Sequence, residues 1–227
     1  MPTTTRIEVC ATPGSGSPRV AIAHGALLAR RLREHGSTVR LALVAGQALL
    51  LAGDEVRIEV LVQGPVDVEI VETAGTVAYE MRGGAARWEV AIDLRDGATV
   101  TWGGQPFVVS AGAEVRRDTT IDIEAGCRAT MRETLVLGRA GETGGILHNQ
   151  TRIDLAGTPL LIEDLDLAPE ARVGWAILHH HRCLDSTTTA GYRLPHGHNV
   201  LQLEGCGSVH RWIGDDLHLS ERPASAR

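Results

Sequence analysis

Short runs of alternating apolar and polar residues, each broken by a glycine, fill the middle of the chain: "RIEVLVQGPVDVEIV", "WEVAIDLRDGATVTW", "TTIDIEAGCRATMRE" and "TRIDLAGTPLLIEDL". Alternation with period two predicts strands with one buried face, and each run reads strand, tight turn, strand. Aligned on Gly64, Gly97, Gly126 and Gly157, the runs recur at spacings of 33, 29 and 31 residues. A period near 31 made of hairpin-like units points to a layered or coiled β architecture in which each unit covers the next, an all-β fold with few helices rather than the α+β alternative. "HGALLARRLREHG", residues 24–36, has the composition of a helix closed by a glycine, while its flanks "RVAIA" and "TVRLALV" predict strands, so the pattern leaves its conformation open. Residues 171–227 again alternate between strand and loop signals, and 220–227 predict a frayed tail.

Several carboxylates fall on the apolar phase of these strands. In "DEVRIEV", Asp54 shares a face with Val56, Ile58 and Val60, whereas Glu55 shares one with Arg57 and Glu59. Glu133 aligns with Met131, Leu135 and Leu137, Glu163 with Leu161, Leu165 and Leu167, and Glu72 continues the row Val66, Val68, Ile70. Asp93, Asp122 and Glu124 sit in polar phase. An unpaired buried carboxylate costs several kcal/mol, so each such acid predicts either an arginine partner or a strand buried on both faces. A line of acids through an apolar interior has a further reading. Carboxylate oxygens and water suit divalent cations that are held only weakly, and such a line would let one pass.

Composition narrows the classes. A chain of 227 residues, 43% apolar, can bury a large core. Its formal charge of −6 offers no basic footprint for nucleic acid or an anionic membrane. Cys10, Cys127, Cys183 and Cys206 form no CxxC pair, which predicts reduced thiols in a cytosolic protein. The first residues hold no apolar secretory core, and no apolar run approaches the ~18 residues that span a bilayer, so the expected location is cytoplasmic. "ATPGSGSP" lacks the lysine and hydroxyl of a phosphate loop, and no GxSxG or ordered Ser–His–Asp set is present.

"LLAGDEVRIEV", "ETAGTVAY", "GQPFVVSAGAEVRRDTTIDI", "ETLVLGRAGETGG" and "TPLLIEDLDL" resemble, in order and spacing, the urease accessory protein family UreD, also called UreH. The resemblance is clearest over residues 45–170 and implies a single domain, 1–227, whose part from 171 onward diverges. It implies a non-enzymatic scaffold with a β-helical body. Such a scaffold binds the accessory protein UreF and the nickel-carrying GTPase UreG, in a complex that can be dimeric through UreF. The complex docks on apo-urease and passes Ni²⁺ along an internal tunnel, with nickel in transit and no resident cofactor. The family's tunnel residues fall on Asp54, Glu55, Thr76, Glu133 and Glu163, to which Glu72 and Glu142 of "LGRAGE" are added. Adjacent strand residues such as Asp54 and Glu55 cannot both face one lumen without a kink, which Gly53 would permit. Where the family carries a lysine and an aromatic ahead of its tyrosine, this chain has Val77 and Ala78 before Tyr79.

The alternative is a metal-dependent β-fold enzyme. "LHHHRC" places His179, His181 and Cys183 on one face of a strand, if it is one, with His180 beside them and His196, His198 and His210 downstream. The plain reading is a histidine-rich polar strand or loop. If the acids form a path, Glu163→Leu is expected to leave folding intact or improve it, and to reduce urease activation.

Overall fold

The computed structural model describes residues 3–12, 14, 17–32, 38–174 and 177–220. The four turn glycines all adopt the left-handed conformation, with φ of 89° at Gly64, 81° at Gly97, 86° at Gly126 and 75° at Gly157. The first three end β5 (Glu55–Gln63), β8 (Ala86–Arg95) and β10 (Glu114–Ile123) and turn the chain into β6 (Asp67–Glu72), β9 (Thr99–Val109) and β11 (Arg128–Leu137). These units are not hairpins, because the strands on either side of each glycine belong to different sheets. Each strand pairs in parallel with its counterpart one coil away, which is why the pattern repeats. Only the Gly157 unit is a hairpin, joining β12 (Ile146–Leu155) to β13 (Thr158–Asp166) antiparallel. The result is a β-solenoid of about four turns with a spacing of about 32 residues, as the repeat predicts.

One sheet runs β13-β12-β10-β8-β5-β1-β2, where β1 is Thr3–Cys10 and β2 Arg19–Ala23. The other runs β15-β16-β14-β11-β9-β6-β4-β3, with β3 Leu27–Arg31, β4 Val39–Ala45, β14 Cys183–Ala190, β15 Val200–Gln202 and β16 Gly207–Gly214. A short strand, β7 (Thr76–Ala78), adds to β9. Both sheets finish at each end in antiparallel pairs, which blunts the open edges of the parallel stack. The ambiguous stretch resolves to strand over Leu27–Arg31, since β3 pairs with β4 and packing there overrides helix propensity. Residues 33–37 of that stretch, parts of "ATPGSGSP" and the tail from 221 lie outside the described residues. A single helical turn, α1 (Pro169–Arg172), follows β13.

Inward-facing residues stack coil on coil. Ile58, Val90, Thr119 and Thr151 lie side by side across β5, β8, β10 and β12, as do Val56, Trp88, Arg117 and Asn149. Both rows begin apolar and become polar toward β12. Trp88 meets Phe107 of the opposite sheet edge-on, centroids 5.5 Å apart. Outward acids in polar phase pair with arginines one coil away, Arg57 with Glu89 at 3.0 Å and Arg87 with Asp118 at 3.3 Å. Among the described residues no helix is long and apolar enough to cross a membrane.

A polar seam through the solenoid core

The site begins with a register break. β9 and β11 run in step to Gly103 beside Arg132 and resume at Pro106 beside Thr134. The break has a local cause, because Pro106 has no N–H to give the ladder and Gly104 lies against the Arg132 carbonyl, where a Cβ would stand 2.4 Å away. With the strands parted, the Gln105 N–H turns to Glu72 Oε2 at 2.8 Å, and Trp102 Nε1 donates to Glu72 Oε1 at 3.0 Å. A small enclosed cavity lies here, lined by Glu72, Thr76, Gln105, Arg117 and Glu133 over Trp88. It offers ≈ 10 Å³ to the centre of a water molecule, room for about one water.

Arg117 reaches across from β10. Its Nη1 donates to Glu133 and to Asn149 Oδ1, the latter at 3.0 Å, and its guanidinium carbon lies 5.6 Å from the Phe107 ring centre. Thr119 Oγ1 adds a long contact of 3.5 Å to Glu133. Burial pushes the Glu72 carboxyl above its ordinary range, against the hydrogen bonds from Gln105 and Trp102 and the nearby Arg117 charge; Glu133 adds to the rise.

The seam continues toward the C-terminal end of the stack. Glu133 stands beside Ser186 on β14, and Ser186 beside Arg211 on β16. Arg211 Nε donates to Ser186 Oγ at 3.1 Å, while its Nη1 and Nη2 grip Glu163 Oε1 and Oε2 at 2.7 and 2.8 Å. Polar side chains are thus in contact from Glu72 and Glu133 to Arg117, and strand register carries the row on beside Ser186 to the part-exposed pair Arg211 and Glu163.

The other candidates lie elsewhere. Asp54 sits in the turn ahead of β5, where its Oδ2 accepts from the Leu51 N–H at 2.8 Å, just after Gly53 at φ 84°. Glu55 opens β5 on the outer face, exposed beside Arg87. Glu142 staples a surface turn, accepting from Arg139 Nε at 2.8 Å, the Arg139 N–H at 3.0 Å and the Ala111 N–H at 3.2 Å. The Arg139 bonds foremost hold its carboxyl down at about 2. Thr76, Glu72 and Glu133 thus share one cavity, Glu163 lies further along the same seam, and Asp54, Glu55 and Glu142 are outside it.

The histidine segment does not form a strand. Residues 177–180 are a turn, His179 has φ 56°, and β14 begins only at Cys183. Without a strand the alternation that would align His179, His181 and Cys183 is lost. The His179 and His180 rings meet at a tilt of 43° with centroids 3.8 Å apart, and His181 Nδ1 lies 3.1 Å from Asp215 Oδ2. Cys183 Sγ donates to the Asp215 carbonyl at 3.4 Å, and burial pushes its thiol up. Among the described residues no three His, Cys, Asp or Glu side chains come together as a set that could hold a metal ion.

Sequence reasoning on acids alone missed Arg117, Asn149 and Arg211. The same phase rule, applied to bases, would have found the first, because Arg117 alternates with Val115, Thr119 and Ile121. Arg211 gives no such signal, since β16 is buried on both faces over most of its length. The expectation that Glu163→Leu leaves folding intact or improves it does not fit the bidentate pair, as removing Glu163 strands a part-buried guanidinium.

Fold and seam together define a two-sheeted β-solenoid whose core carries carboxylates from both sheets, a framework with an internal polar line. A family profile described as UreD urease accessory protein matches residues 9–215. Urease accessory protein UreD 1 of Streptomyces griseus is 42% identical over 207 residues, covering 89% of this chain and 81% of that protein. The UreD proteins of Streptomyces avermitilis and a Parafrankia species are 33% identical over 175 residues and 30% over 203, covering 75% and 78% of this chain and 69% and 68% of theirs. The chain belongs to the UreD family of urease accessory proteins.

Proposed function

We propose that this chain is a cytoplasmic scaffold, without turnover of its own, that delivers Ni²⁺ to apo-urease in complex with UreF and the GTPase UreG. Its cargo travels along the interior seam, with Glu72, Thr76, Glu133 and Glu163 as weak oxygen ligands that leave waters on the metal. The observation that carries this reading is the placement of carboxylates from both sheets in one line through the core of a UreD-family protein. Weak sites suit transit, since tight binding means slow release. Asp54, Glu55 and Glu142 serve the mouth of the path or its framework, given their positions in surface turns and on the outer face.

The test is the nickel content of urease in cells carrying the urease subunits and the other accessory genes, with this chain unchanged or bearing Glu133→Gln. Assembled urease short of nickel with E133Q, from a variant of normal stability, supports the transit reading; full loading removes Glu133 from the path.

A further inference from the structure

Arg117 stands where a cation in transit would stand. It lies 7% exposed between the two sheets, in contact with Glu133 and lining the same small cavity as Glu72. A guanidinium offers positive charge to the same carboxylate oxygens that would ligate a divalent ion, so the two compete for Glu133. Space points the same way. The cavity admits about one water. A divalent ion that keeps several of its own waters therefore needs more room than the closed seam gives.

The two arginines of the seam are not held alike. Arg211 is fixed at three nitrogens, two on Glu163 and Nε on Ser186. Arg117 uses Nη1 for both Glu133 and Asn149, and its buried Nε has no hydrogen-bond partner. Its hold is that of a single nitrogen, supported by the Phe107 ring, and Asn149 gives the guanidinium a second acceptor on β12 when Glu133 is taken. Arg211 by comparison is a fixed strut.

We propose that Arg117 is a built-in counter-cation that keeps the seam closed: a divalent cation reaches the Glu72–Glu133 cavity only by displacing Arg117 from Glu133. The closed state holds the charge of Glu133 neutralised inside the core, and passage exchanges one cation for another. This inference rests on the transit reading of the same seam.

The test is Ni²⁺ binding to the purified chain by equilibrium dialysis, comparing wild type, Arg117→Met, Arg117→Met with Glu133→Gln, and Arg117→Lys. With the competitor removed, R117M should bind one Ni²⁺ about tenfold more tightly than wild type, and E133Q in that background should abolish the gain. The added E133Q separates the cavity from the surface histidines, which all the variants keep. R117K, which retains charge but has a shorter reach and no planar fork, should show a smaller gain, and it carries the comparison if R117M does not fold. Affinity unchanged in a folded R117M, or in R117K where only that variant folds, overturns the proposal, as does a gain that survives E133Q. The two readings fail separately. If E133Q alone still loads urease fully, transit through Glu133 falls; if E133Q blocks loading while the arginine variants bind Ni²⁺ as wild type does, only the counter-cation role falls.

Discussion

Glu163 and Arg211 keep about a fifth of their side chains exposed, 21% and 24%, while meeting through two short contacts. Pairs of this kind add little over an apolar contact of the same shape, yet losing one partner leaves the other desolvated. Glu163→Leu should therefore cost about 1–3 kcal/mol in urea unfolding, and adding Arg211→Met should recover most of that loss. A single variant as stable as wild type would show that Arg211 finds water or another acceptor. Glu142 makes a prediction with the opposite chemistry. Its carboxyl is lowered from 4.5 to about 2 in the fold, so the stability it contributes is present above about pH 4.5 and disappears as pH falls toward 2. Glu142→Gln should flatten that part of an acid-unfolding curve and leave the neutral end without a further pH trend. An unchanged acid limb would mean that the Arg139 and Ala111 hydrogen bonds do not hold in solution. At this scale strand phase picks out Glu72, Glu133 and Glu163 on the apolar side, but the same rule also takes in Asp54, which sits in the turn ahead of β5 rather than on the strand. Phase did not show the arginines of these acids, because partners that meet across two sheets are distant in the chain.

At the scale of elements, the glycine rhythm made the repeat legible before any contact was known. The reversed glycines Gly97, Gly126 and Gly157 meet nothing within 4 Å of an added Cβ, so the turn conformation alone explains them, whereas Gly64 also lies against Ala11, 2.5 Å from where its Cβ would be. Whether each turn made a hairpin or passed to a second sheet was not legible, since both carry the same alternation. The break between β9 and β11 was hidden for a related reason, as its signal is one glycine and one proline in an otherwise regular strand. Two neighbouring glycines test the break. Gly104→Ala drives a methyl into the Arg132 carbonyl and should destabilise the protein by about 1–3 kcal/mol. Gly103→Ala meets nothing within 4 Å and should be close to neutral. Equal denaturation midpoints for the two would mean the strands part easily there. The segment 177–182 is the converse case, where a run of histidines suggested a strand face and the chain instead makes a turn ahead of β14.

Across the whole molecule, about four coils bring side chains from β6, β10, β11, β13 and β16 into one polar line inside an apolar stack. Such a line is costly to keep in a core made mostly of Val, Ile, Leu and Ala. The line crosses from the parallel coils at β6, β10 and β11 to the antiparallel strands β14, β16 and β13 that end the stack. Family membership and the general architecture were readable from motif order and period; the continuity of the seam was not, because it depends on register between strands far apart in sequence. The most direct measurement is the nickel bound per assembled urease when the urease subunits and the remaining accessory proteins are expressed with and without this chain. Urease that assembles but holds almost no nickel when the chain is left out is the predicted result. Equal nickel in its absence would contradict the central claim.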